Sequence, residues 1–197
     1  MTNSERTRCG WVSITTNVKP FYVDYHDHEW GVPVRDDQLM FEFLTLEAFQ
    51  AGLSWEIVLK KRQNFRKAFD GFDPKVVAGY GEPKVQSLLQ DAGIIRNQLK
   101  IRATINNAQR FLEVANEFGS FCDYLWGFVD GKTIVNTWKS MGELPASTPL
   151  SDRVAKDLKS RGFKFLGSTV MYAHMQAVGM INDHEVSCYR YREVQEL

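Results

Sequence analysis

The chain has 197 residues, 44% hydrophobic and 24% charged, which sets aside disordered, collagen-like and coiled-coil readings and leaves room for a sizeable core. Lysines and arginines number 24, as do aspartates and glutamates, so the formal net charge is zero. A protein that coats nucleic acid by bulk charge is excluded, and any such contact needs a local patch. No long apolar stretch occurs and MTNSERTRCGWV carries no export-type segment, which together predict a cytoplasmic protein without a membrane span.

Most of the sequence reads as helix. Asp36 or Asp37 caps an apolar-rich run that continues to about Gln50, and Ser54 caps a second helix, WEIVLKKRQNFRKAF, that stops near Gly71. Asp73-Pro74 opens a short helix, and another spans about Pro83 to Gln90. Ile101, Ile105, Ala108 and Leu112 mark the buried stripe of a helix between Leu99 and Val114. A further helix covers Phe121 to Phe128, and the polar stretch from Gly131 to Pro149 reads as loop, with Lys132 to Val135 an open strand candidate. Ser151 or Asp152 caps VAKDLKSR, Gly162 to Gly167 forms a glycine-bracketed hairpin, and STVMYAHMQAVG ends at Gly179. The expectation is an all-α fold, one domain over residues 1–197, with a helix-hairpin-helix unit at about 151–179.

Two pairs of metal-ligating residues sit near the chain ends: Cys9 and His26 with sixteen residues between them, His184 and Cys188 with three. Two thiolates and two imidazoles form a tetrahedral set suited to one zinc ion, and four protein ligands leave no position for a catalytic water, so the ion's role is structural. Two buried cysteines beside incidental histidines are the ordinary alternative. His28 is a rival ligand, because His26-Asp27-His28 places two imidazoles where a hydrolytic metal could use them, against a plain surface role.

Glu47 lies three, four and seven residues after Leu44, Phe43 and Met40, where a helix wants an apolar side chain. A carboxylate there needs a partner or a ligand. Around it come Trp55, and from the aromatic-rich N-terminal segment Trp11, Tyr22 and Tyr25. Rings plus one acid suit a flat, cationic heterocycle through stacking, cation–π attraction and charge-assisted hydrogen bonds. The alternative is a core glutamate paired with an arginine. From Arg153 to Gly167 there are five basic residues against one acid, a local net charge of +4. With hairpin glycines that expose backbone N–H groups, this patch fits a DNA backbone. An ordinary solvated helix face is the competing reading.

The order of RCGWV, YHDHEWGVP, LEAFQAGLSW, VLKKR, QDAGIIRNQLKI, TPLSD, RGFKFLG, MQAVGMINDH and Cys188 resembles the 3-methyladenine-DNA glycosylase I family of bacterial alkylation-repair enzymes over nearly the whole chain. The resemblance implies a helix-hairpin-helix glycosylase that flips 3-methyladenine out of double-stranded DNA and hydrolyses its N-glycosidic bond, leaving an abasic site and acting as a monomer. It implies one structural zinc on Cys9, His26, His184 and Cys188, joining the segments at about 9–26 and 184–188. It makes Glu47 the acid of the base pocket with Tyr25 as its hydrogen-bonding companion, Trp55, Trp11 and Tyr22 the pocket aromatics, and Leu53 the residue that plugs the gap in the stack. DNA-backbone contacts fall on Lys159, Arg161, Gly162, Lys164 and Gly167. Asp183, the only nearby acid after the hairpin's second helix, is structural in this reading. A lesion sensor without turnover and a zinc hydrolase built on His26 and His28 are the rival functions.

Overall fold

The computed structural model describes residues 6–13 and 19–197. Helices dominate: α1 (Gly10–Ser13), α2 (Pro20–His28), α3 (Asp37–Gln50), α4 (Trp55–Ala68), α5 (Pro74–Ala78), α6 (Glu82–Gln90), α7 (Gln98–Phe118), α8 (Phe121–Gly127), α9 (Pro149–Ser160), α10 (Ser168–Ala177) and α11 (Arg190–Glu193). A pair of two-residue strands is the sheet among the described residues. Here β1 (Ile134–Val135) runs parallel to β2 (Ile181–Asn182), with Ile134 opposite Ile181, so the open strand candidate is a short clasp between distant segments.

Local chemistry explains the boundaries. The Asp36 and Ser54 side chains accept from Leu39 N and Ile57 N, and Asn97 does the same for α7. Two expectations are corrected. Helix α9 starts two residues before Ser151, because Thr148 caps it by accepting from Ser151 N, Pro149 occupies its first position, and Ser151 Oγ in return accepts from Thr148 N in a capping box. Helix α7 runs on to Phe118, where Gly119 at φ 93° ends it. The aromatic-rich segment that carries Tyr22 and Tyr25 is itself a helix, α2, started by Pro20.

Helix α3 is buried from Met40 through Phe49, which places it at the centre of the core with helices on every side. Phe49 packs edge-on against Phe65 of α4, and Phe41 against Phe111 of α7. Helices α9 and α10 pack on each other, and α10 also packs on α3. The first turn of α10 stands beside the end of α3 that carries Glu47, since Thr169, Val170 and Glu47 border one recess. Among the described residues no helix is long and apolar enough to cross a membrane.

Candidate active site

Glu47 is 4% exposed on the last turn of α3. Its carboxylate faces a cavity of about 230 Å³ walled by Trp11, Tyr22, Tyr25, Trp30 and Trp55, with Gln50, Met141, Leu144, Ala173 and Gln176 completing the lining. The structure thus gathers every ring predicted for the pocket. Trp11 meets Tyr22 edge-on at 5.2 Å between centroids, and Tyr25 lies 5.4 Å from Trp55. The indole N–H groups of Trp11 and Trp55 are buried without an acceptor among the described residues.

No hydrogen bond or ion pair reaches the Glu47 carboxylate among the described residues, and burial pushes its pKa up to about 8. The arginine that a core glutamate would need is spent elsewhere. Arg62 pairs with Glu42 and with Glu29, and Arg66 joins Glu42 at 2.9 Å, so the satisfied core carboxylate of α3 is Glu42. Tyr25 shares the cavity without bonding to Glu47, a separation that differs from the expected direct companion. Burial, and then the charge of Glu47, push the tyrosine's pKa well up.

Glu47 also borders a second recess of about 200 Å³, shared with Gln50, Ala51, Gly52, Leu53, Thr169, Val170 and Ala173. Leu53 stands at its rim, 39% exposed, in the turn between α3 and α4. That turn is fixed by a residue the sequence reading missed. Lys100 of α7 is 7% exposed, and its ammonium donates to the carbonyls of Phe49 (2.8 Å) and Ala51 (2.6 Å), capping α3 at the negative end of its dipole. A lysine beside Ile101 on the apolar stripe was the available signal. Lys100→Met, which strands both carbonyls, is expected to lower stability by about 1–3 kcal/mol. For a chain of this length that is a fall of roughly 3–9 °C in Tm, read by calorimetry.

The predicted metal ligands converge. Cys9, His26, His184 and Cys188 are all buried, and their ligand atoms lie within 4.8 Å of one another. Cys9 Sγ is 3.3 Å from His184 Nδ1, and Cys188 Sγ is 3.5 Å from His26 Nε2 and 3.6 Å from His184 Nδ1. Ordinary zinc bond lengths give a sulfur-to-nitrogen edge of about 3.6 Å in a tetrahedron. The outward ring nitrogens are held: His26 Nδ1 donates to Asp27 (2.8 Å), itself clamped by Arg8, and His184 Nε2 donates to the Trp30 carbonyl (3.0 Å). Gly31 lets the chain pass, since a Cβ there would lie 2.9 Å from the His184 ring and its φ is 81°. Contact with Cys188 pushes the Cys9 thiol far up, whereas contact with Cys9 and the imidazoles draws Cys188 far down. Two thiols and two imidazoles at these separations can hold a metal ion. His28 stands outside it, exposed, with Nδ1 donating to the Asp24 carbonyl (3.1 Å).

Asp183 accepts from Asn136, Trp138, Tyr172 and Gln176, which ties β1, β2 and α10 together and makes its role structural. Gln176 is the residue among these four that also lines the Glu47 cavity.

The predicted basic residues are divided. Lys159, Lys164 and Gly167 line one cavity of about 640 Å³ with Lys156 and Phe165, and Gly167 leads directly into the first turn of α10. Arg161 leaves this group. Its guanidinium pairs with Asp157 (3.0 Å) and Glu117 (2.7 Å) and lies over Phe118 and Tyr124, because α7 ends within its reach. Gly162, at φ 89°, supplies the turn itself.

Comparison with known proteins places this geometry. The family model described as methyladenine glycosylase matches residues 14–191. The DNA-3-methyladenine glycosylase 1 of Escherichia coli (strain K12) is 49% identical over 184 residues, covering 93% of this chain and 96% of the relative. A crystal structure of 3-methyladenine DNA glycosylase I superposes with a TM-score of 0.88 at 48% identity, over 93% of this chain and 98% of the other. A variant of 3-methyladenine DNA glycosylase I in complex with 3-methyladenine superposes with a TM-score of 0.86 at 32% identity, over 90% of this chain and 95% of the other.

Proposed function

The chain belongs to the methyladenine glycosylase family, and from that premise we propose how it removes 3-methyladenine from DNA as a glycosylase of base-excision repair. The observation that carries the mechanism is the buried, unpartnered Glu47 carboxylate in a cavity of aromatic rings. A site of about 230 Å³ suits one small ring system. Methylation at N3 makes adenine a cation, and Glu47, which holds its proton in the free protein, ionises against that cation among the π faces and so binds it far better than its neutral parent. Ordinary adenine brings no charge to offset the desolvation of Glu47.

The same methyl group weakens the glycosidic bond. As the C–N bond breaks, its electron pair goes to the base, which leaves neutral, and water adds to the sugar carbon to give an abasic site. Holding the base in line and stabilising charge beside the sugar supplies the acceleration, with Glu47 orienting the base and Trp11, Tyr22, Tyr25 and Trp55 stacking around it. Leu53 fills the space that the flipped nucleotide leaves in double-stranded DNA. The helix-hairpin-helix unit holds the backbone through Lys159, Lys164 and the N–H groups leading to Gly167, and the protein acts as a monomer.

One zinc ion on Cys9, His26, His184 and Cys188 is structural in this reading: when bound it ties the N-terminal segment to the C-terminal one. The ligands neighbour the pocket rings in sequence, Cys9 beside Trp11 and His26 beside Tyr25, so the same clasp sets the pocket wall. The test is chromatography of bases released from methylated duplex DNA by the purified, metal-loaded protein. Release of 3-methyladenine with 7-methylguanine retained is expected; a folded protein that releases no base overturns the proposal in favour of a lesion sensor.

A further inference from the structure

Two phenylalanines occupy the left-handed backbone region, Phe72 and Phe165, each at φ 60°. That conformation is strained for a bulky L side chain, so each calls for compensation. Phe72 finds it inside the chain, where it is fully buried and stacks on Phe69 at 5.8 Å with the ring planes 3° apart. Phe165 does not: it is 41% exposed and makes no aromatic contact among the described residues.

The conformation at Phe165 is imposed by the residues that precede it. Asn107 of α7 donates to the Lys164 carbonyl and accepts from Lys164 N, both at 2.8 Å, Asn106 donates to the Gly162 carbonyl at 2.9 Å, and Phe163 is buried. The turn is thus pinned to α7 with the next ring outward. That ring borders the 640 Å³ cavity of Lys156, Lys159 and Lys164. The N–H groups of Phe165, Leu166 and Gly167 make no hydrogen bond among the described residues. Beyond Gly167, Thr169 and Val170 share the recess of Leu53 and Glu47.

From this contrast we infer that Phe165 is a DNA-binding side chain whose ring packs on the apolar face of a deoxyribose, between phosphates taken by the flanking lysines and the free N–H groups. An apolar ring set among cations matches the alternation of sugar and phosphate along a strand, and burial on binding compensates the strain that the free protein carries. The inference rests on the DNA-glycosylase reading above and adds to it a residue that binds by its side chain.

The test compares Phe165→Gly, Phe165→Ala and Phe165→Tyr for Tm, affinity for undamaged duplex, and single-turnover base release at saturating enzyme. Phe165→Gly relieves the strain and removes the ring, so Tm rises by about 2–4 °C while duplex affinity falls roughly tenfold and the saturated rate is unchanged. Phe165→Ala keeps the strain and loses the same affinity without the gain in Tm, and Phe165→Tyr restores the affinity. A residue with a merely structural role moves Tm alone. Phe165→Gly binding duplex as tightly as the native chain, with base release intact, overturns this inference and leaves the glycosylase reading standing. A native chain that binds duplex through Phe165 but releases no base overturns the catalytic reading alone.

Discussion

Glu47→Gln is expected to cut excision of 3-methyladenine by a hundredfold or more while making the protein more stable at pH 8. The loss follows from removing the one carboxylate that faces the cavity, an effect of the size seen when a preorganised charged or polar group is deleted from a catalytic site. The gain follows from burial. The folded Glu47 holds its proton up to about pH 8, whereas the unfolded chain releases it near its ordinary value of 4.5. Between those values the folded state binds more protons, so stability falls as pH rises from about 4.5 to 8 and then levels off. Gln carries no such penalty. The variant should match the native protein near pH 4 and exceed it by on the order of 2–4 kcal/mol above pH 8, read as a Tm difference of several degrees. Duplex affinity should change little, because no backbone contact is assigned to Glu47. Equal loss of excision and of undamaged-DNA binding would remove Glu47 from the pocket role.

The second large effect is expected at the chain ends. Cys188→Ala removes one of the four proposed ligands and leaves Cys9, His26 and His184 with a position open to water. Metal content should fall from one ion per chain to a small fraction, and Tm should drop by more than about 10 °C, since structural zinc contributes on the order of 10 kcal/mol in small domains and a good part of that in a larger one. Excision should fall with it, because Trp11 and Tyr25 lie within two residues of ligands. His28→Ala should leave metal content, Tm and activity as they are, its ring being exposed and bonded, among the described residues, to Asp24 alone. Full metal retention by Cys188→Ala would contradict the four-ligand site, and loss of the metal with His28→Ala would revive the hydrolase arrangement.

Both sites left a signal in the sequence by breaking a local rule, and the resemblance to the family, not the pattern alone, singled out their residues. A glutamate on the buried stripe of α3 and cysteines with histidines at matched chain ends are costly unless something pairs with them, and the structure brings each set together. What escaped the sequence depends on contacts between distant segments. Met141 and Leu144 reach the cavity from a stretch that reads as polar loop, and Gln176 is oriented by Asp183. Arg161 carries the same charge as its neighbours in the sequence, yet Glu117, forty-four residues away, takes it out of the basic cavity. Phe165 reads as an ordinary apolar residue of a hairpin, and only its φ and exposure set it apart from Phe72.

The central claim is that Glu47 waits without a partner for a cationic base. It is tested most directly by titrating the Glu47 carboxyl carbon in the metal-loaded, DNA-free protein by carbon-13 NMR, with Glu47→Gln identifying the resonance. The structure predicts a midpoint near pH 8. A midpoint between about 4 and 5 would mean that a cation or hydrogen-bond donor already satisfies the carboxylate, and would contradict the account.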